Sequence, residues 1–144
     1  MNVCITLPIP LWEKVCSGEA SILIRKSFPR NFDFSRDKAF VVLKGFKMCV
    51  GYLTLHAFSR WSSADDLYLA WKDDIGLPRD YLISYAAHTV CLYAWHINSV
   101  FQYDRIQSSS IVLGAHSNPV SYFYVDVPSF TIPSNLLTKH SYHE

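Results

Sequence analysis

The chain has 144 residues, half of them apolar, 15% aromatic and only 17% charged, with a formal net charge of +1. That length closes a single hydrophobic core without a metal or disulfide framework, and the composition is the opposite of a disordered chain. A near-neutral chain can attract a polyanion only through a local concentration of charge.

In chain order, CITLP (4–8) reads as a short first strand. Pro8 and Pro10 precede LWEKVC, whose Leu11, Val15 and Cys16 share one helix face, and Gly18 is a natural stop. SILIRK alternates Ile22 and Ile24 against Leu23 and Arg25, which predicts a strand that Pro29 terminates; 27–38 reads as a loop. AFVVLK (39–44) and MCVGYLTLHAF (48–58) are β-rich runs around GFK and predict a hairpin. Ser62 and Ser63 ahead of Asp65 and Asp66 predict a capped helix ending at Gly76, and Pro78 opens a second helix through LPRDYLISYAA. A long strand follows around TVCLYAWHI, then SYFYVDV as another, then a tail punctuated by Pro128 and Pro133. Strand, helix, three strands, a helical pair and more strands fit neither a βαβ alternation nor a helical bundle. A mixed β-barrel with helices capping it fits.

Cys4, Cys16, Cys49 and Cys91 lie far apart with no CxxC pair, so they read as reduced thiols, and neither a metal site nor a cofactor is expected. MNVCITLPIPLWEK lacks a basic n-region and a continuous apolar core, so no signal peptide is expected and the protein is expected in the cytoplasm. From Tyr81 to Tyr103 there is no Asp, Glu, Lys or Arg, a length able to span a bilayer. Its histidines, serines and amides are too many for lipid, and Cys91, Tyr93, Trp95 and Ile97 recur with period two. A buried strand is expected, with no membrane span.

Residues 25–47 hold seven bases (Arg25, Lys26, Arg30, Arg36, Lys38, Lys44, Lys47) against Asp33 and Asp37, a local net of +5 that leaves −4 on the remainder. Phe28, Phe32, Phe34 and Phe46 interleave with them. Two readings stand side by side: a surface that draws polyanions and stacks on unpaired bases, or a solvated loop and hairpin whose phenylalanines pack inward. His56, His88 and His96 read as hydrogen-bonded core or rim residues. Asp65, Asp66, Asp73 and Asp74 read as the charged ends of one helix, and Trp12 and Trp71 as helix-to-barrel packing; Trp61, beside Arg60, is the better stacking candidate.

Over residues 2–105 the chain resembles the ASCH family, a branch of the PUA-like β-barrel superfamily. The resemblance rests on the order of elements and on a helix ending in SGE, a strand with an arginine, AFVVLK, CVGYLTL, the insert DDLYLAWKDDIGLPRDYL and VCLYAWHI. The family signature, GxKxxExR, falls here on Gly18, Ala20, Leu23 and Arg25, so two of its four positions are kept. The resemblance implies an α+β fold, a PUA-like mixed β-barrel with flanking helices over 1–107, with 108–144 a strand extension and tail packed on the same domain. It implies a nucleic-acid ligand, RNA or another single strand, bound by Arg25, Lys26, Arg30, Lys44 and Lys47 at a cleft lined by Ser17, Gly18 and Glu19. Family enzymes hydrolyse N4-acetylcytidine with the signature lysine and a threonine at the glutamate position. Those positions are Ala20 and Leu23, which can neither activate a nucleophile nor transfer a proton, so no catalytic residue is assigned. Two alternatives remain: such an enzyme with a rearranged site using Lys26 or Lys44, and a protein-interaction module acting through the tail from Val120 to Tyr142.

Overall fold

The computed structural model of the chain describes residues 1–46, 48–108, 122–125 and 137–141. Among these, strands β1 (Asn2–Leu7), β2 (Ile22–Arg25), β3 (Ala39–Leu43), β4 (Met48–Trp61), β5 (Leu92–Ser108), β6 (Tyr122–Val125) and β7 (Leu137–Ser141) alternate with helices α1 (Ile9–Ser17), α2 (Ala64–Ile75) and α3 (Arg79–Ala86). The strands form one mixed sheet in the order β2, β5, β4, β3, β1, β6, with β7 also on β5. β1 runs parallel to β3, and the other pairs are antiparallel. The architecture is α+β, a PUA-like mixed barrel with flanking helices.

The curl of the sheet brings its two ends together. Tyr122 Oη on β6 donates to the Phe28 carbonyl at 3.1 Å, and the Asn31 amide donates to Tyr124 Oη at 3.4 Å, which joins β6 to the segment after β2. Among the described residues β6 pairs with β1 from Asn2 to Ile5. At Thr6 the seam between β1 and β2 is crossed by a side chain instead: Arg25 Nη1 donates to the Thr6 carbonyl at 3.3 Å.

β2 is apolar on both faces because both are covered. Leu23 lies opposite Trp95, which lies opposite Phe58, so this row points into the barrel with Val3, Ile5, Val41 and Leu53. Ile22, Ile24 and Ala94 point the other way, onto Leu67, Ile75 and Leu82 of α2 and α3. Trp12 and Val15 seat α1 on the barrel core.

The helix limits follow their end residues. Gly18 closes α1 at φ 87°, and Ser63 Oγ accepts from the Asp66 amide at 3.2 Å to cap α2. α2 is kinked at Trp71, whose φ of −133° lies outside the helical range. Gly76 ends α2 at φ 71°, and a β-carbon there would sit 3.0 Å from Cβ of Ala20, so both conformation and packing demand glycine.

β5 continues to Ser108, and β7, a polar LTKHS segment that no alternation announces, pairs with it from Ser99 to Tyr103. β6 and β7 thus place parts of the C-terminal extension in the barrel sheet. No helix among the described residues is long and apolar enough to cross a membrane.

Two predictions follow from this packing. Gly51 sits at a register shift between β4 and β5, and a β-carbon there would lie 2.1 Å from the Phe101 carbonyl oxygen. Backbone cannot yield as a side-chain tip can, so Gly51→Ala is expected to lower stability by about 2 kcal/mol or more in urea denaturation. His96 is buried on the outer sheet face, sharing a 2.8 Å hydrogen bond between Nε2 and Ser59 Oγ, with Trp71 edge-on. Burial, then the neighbouring His56, lowers its pKa below the usual histidine value, against a smaller opposing pull from Asp74. Below the unfolded pKa the unfolded chain binds the extra proton, so this contribution is complete above about pH 6.5 and is lost as pH falls. Thermal melts from pH 7.5 to 5 should show a declining midpoint, with a flatter profile in His96→Gln.

Candidate functional site

The seam between β1 and β2 opens into a cavity of about 740 Å³. Its walls are the end of β1, the first turns of α1, β2, the turn after β3, the end of α2, and α3. The floor is hydrocarbon, from Leu7, Leu11, Ile24, Ile75 and Leu77, and Leu23 closes it on the barrel side. Among the described residues the charged side chains on the wall are Lys14, Arg25, Lys26 and Lys44, and no carboxylate lines it. The site therefore suits an anion with a flat or apolar body, since the cations supply charge-assisted donors and the floor supplies area.

Each cation is held differently. Arg25, besides bridging to Thr6, lies with its guanidinium carbon 5.8 Å from the Trp95 ring centroid, and Trp95 is fixed by donating Nε1 to the Ser27 carbonyl at 3.0 Å. Burial pulls the Arg25 pKa below the ordinary arginine value, partly offset by the Tyr85 hydroxyl; the guanidinium remains charged. Lys26, just past the end of β2, holds Nζ 4.7 Å above the Tyr85 ring. Lys14 donates Nζ to the Gly76 carbonyl at 2.8 Å, tying α1 to the end of α2. Lys44 is exposed on the turn after β3, where its backbone amide donates to Leu7 at 2.8 Å.

The expected site residues divide accordingly. Arg25, Lys26 and Lys44 converge on the cavity, while Arg30 is exposed beyond Phe28 and Lys47 lies outside the described residues. Ser17, Gly18 and Glu19 do not line it. They form the far end of α1, where Ser17 Oγ donates to the Lys14 carbonyl, whereas the cavity meets α1 at Leu11 and Lys14. Sequence reasoning missed Lys14, Tyr81 and Tyr85. Leu11 and Lys14 are three apart and Tyr81 and Tyr85 four apart, so helix periodicity carried the signal for both pairs.

The basic run does not act as one surface. Arg36 Nε donates to buried Asp37 at 3.1 Å, and Lys38 Nζ stands 4.7 Å over Tyr52. Nor do the phenylalanines form one stacking surface: Phe28, Phe32 and Phe34 each pack within 6 Å of Phe58 at the barrel end, and Phe46 alone of the four projects from the β3–β4 turn, 49% exposed. Trp61 donates Nε1 to Ser59 Oγ at 2.9 Å, half-buried beside α2. Ala20 and Leu23 are buried, at 0% and 1% exposure. Among the described residues no cluster of histidine, cysteine and acidic side chains is arranged to hold a metal.

No family model matches the sequence, and no curated protein matches it. Solved structures do match the fold. The ASCH protein of Zymomonas mobilis superposes with a TM-score of 0.70 at 15% identity over 87% of each chain. Two single-substitution mutants of that protein give 0.73 at 14% identity, over 87% of this chain and 88% of theirs, and 0.71 at 15%, over 87% and 90%. The fold is that of an ASCH domain.

The thiols provide a chemical check on the electrostatics. Burial pushes Cys4 and Cys49 up to about 12 and Cys16 to about 11. At Cys91, hydrogen bonds from Tyr93 and then Arg60 hold the thiol below its usual value. Since the thiolate is the nucleophile, iodoacetamide at pH 7.5 is expected to modify Cys91 at least tenfold faster than the other three, read by peptide mass spectrometry.

Proposed function

We propose that this ASCH-fold protein binds nucleic acid, RNA in preference to DNA, and that it does so without turnover. The observation that carries the reading is the seam cavity: among the described residues, four cations and no carboxylate over an apolar floor, with two tyrosines at the rim. A base or ribose has the flat, partly apolar body such a floor accepts, and a phosphate is the anion that lysine and arginine grip. Arg25 at the end of β2 and Lys26 just past it are the central contacts, and Lys44 the contact across the mouth. Arg30 lies further along the same chain segment and serves as an outlying phosphate contact that positions without specifying.

Hydrolysis of an acylated cytidine is not supported. The two signature positions that would carry it are a methyl group and an isobutyl group sealed in the core. Neither can transfer a proton or stabilise an oxyanion. Lys26 and Lys44 reach the cavity from other walls, and the described residues place no carboxylate on the lining to act with them.

Fluorescence anisotropy with labelled single-stranded RNA at two salt concentrations tests the reading. Binding should weaken as salt rises, and Arg25→Ala combined with Lys26→Ala should cost roughly a hundredfold in affinity. Binding that ignores salt, or that survives the double substitution, sinks it. Release of acetate from N4-acetylcytidine by the parent would instead favour the enzyme.

A further inference from the structure

Three side chains line up across the ends of three strands. Arg60 on β4 lies directly opposite Tyr93 on β5, and Tyr93 lies directly opposite Arg25 on β2. Cross-strand partners project from the same face, so the three form one row, two strand spacings or about 9–10 Å from end to end. The next row inward is Phe58, Trp95 and Leu23, which belong to the barrel core. The first row is therefore the rim of the barrel. One end, Arg25, is also a wall of the seam cavity; the other, Arg60, is exposed.

A further cation joins this rim. Phe28 packs 4.7 Å from the Tyr93 ring, and Arg30, two residues on and exposed, acts electrostatically on both Tyr93 and Tyr122. The described ion pairs engage Arg36 and Arg79 but neither Arg30 nor Arg60. Arg60 is instead hydrogen-bonded to the Cys91 thiol. Two exposed guanidiniums on the same rim are suited to an anion lying along it.

We propose that the rim row from Arg25 through Tyr93 to Arg60, with Arg30 beside it, is a phosphate-binding track continuous with the seam cavity. It holds the backbone of a single strand whose one nucleotide enters the cavity. The ligand is then an oligonucleotide, and a free nucleotide fills only part of the site. This rests on the RNA-binding reading above and adds Arg60 and Tyr93 to the residues that carry it.

The test compares uridine monophosphate with a hexauridylate, using the parent and the Arg30→Gln plus Arg60→Gln variant. Both positions are exposed, so the fold is expected to persist, which circular dichroism checks. The parent should bind the hexamer at least about tenfold more tightly than the monomer. The variant should lose most of that gain, and its salt slope for the hexamer should fall by roughly 0.7 per arginine removed. The hexamer, but not the monomer, should also slow alkylation of Cys91 in the parent, because Arg60 and Cys91 are in contact. An unchanged hexamer gain in the variant, or a Cys91 rate indifferent to the hexamer, overturns the track while leaving cavity binding standing. Failure of the parent to bind either ligand overturns the RNA reading and the track with it.

Discussion

The site depends on one side-chain bridge between β1 and β2, the Arg25 guanidinium donating to the Thr6 carbonyl. Among the described residues β6 pairs with β1 from Asn2 to Ile5, and at Thr6 the Arg25 side chain reaches across from β2. A sheet this curled needs its ends joined, and tyrosine hydroxyls on β6 join it to the segment after β2. At Thr6 the joining is done by the Arg25 guanidinium reaching the carbonyl. A buried backbone carbonyl needs a donor, and a long cationic side chain supplies one while leaving room beside it. The cavity opens beside this bridge, with Thr6, Leu7 and Arg25 in its walls.

That position accounts for the mixture of chemistry in the walls. A strand at a sheet edge, covered by core on one face and by helices on the other, must carry apolar side chains in both directions, which is why SILI is continuous rather than cleanly alternating. Those side chains become the floor. The cations come from where chain leaves the core: the end of β2, the turn after β3, and the solvent side of α1. Charge held over a hydrocarbon floor is less screened than charge on an open surface, so a few cations there weigh more than the same number on a solvated loop.

Much of this was legible in the sequence. Gly18, Ser63 and Gly76 marked helix limits because left-handed backbone and side-chain capping restrict residue choice sharply. The barrel class followed from element order. Arg25 and Lys26 were legible because they end an apolar strand. What was not legible was direction. The signature drew attention to Ser17, Gly18 and Glu19, yet seven residues of helix separate Leu11 from Gly18, about 10 Å along the axis, and the cavity lies at the Leu11 end. The density of bases over 25–47 also overstated one surface, since partners such as Asp37 and Tyr52 are chosen by tertiary contacts that a linear count does not register. LTKHS gave no sign of β7 because a short strand carrying polar residues has no period to detect.

Ala20 and Leu23, on which the signature register falls, are both structural positions in this fold. Ala20 sits at a helix-to-strand turn where its methyl group packs against Gly76, and its amide donates to the Lys14 carbonyl at 3.1 Å. Lys14 in turn reaches the Gly76 carbonyl, so the region is a closed knot of α1, the turn and the end of α2. A lysine at Ala20 would have to displace that packing to reach the cavity, just as a polar residue at Leu23 would have to enter the core beside Trp95. Larger polar groups at these two positions would therefore disturb the contacts that hold β2 and the helices in place, the same contacts that set the wall from which Arg25 reaches Thr6.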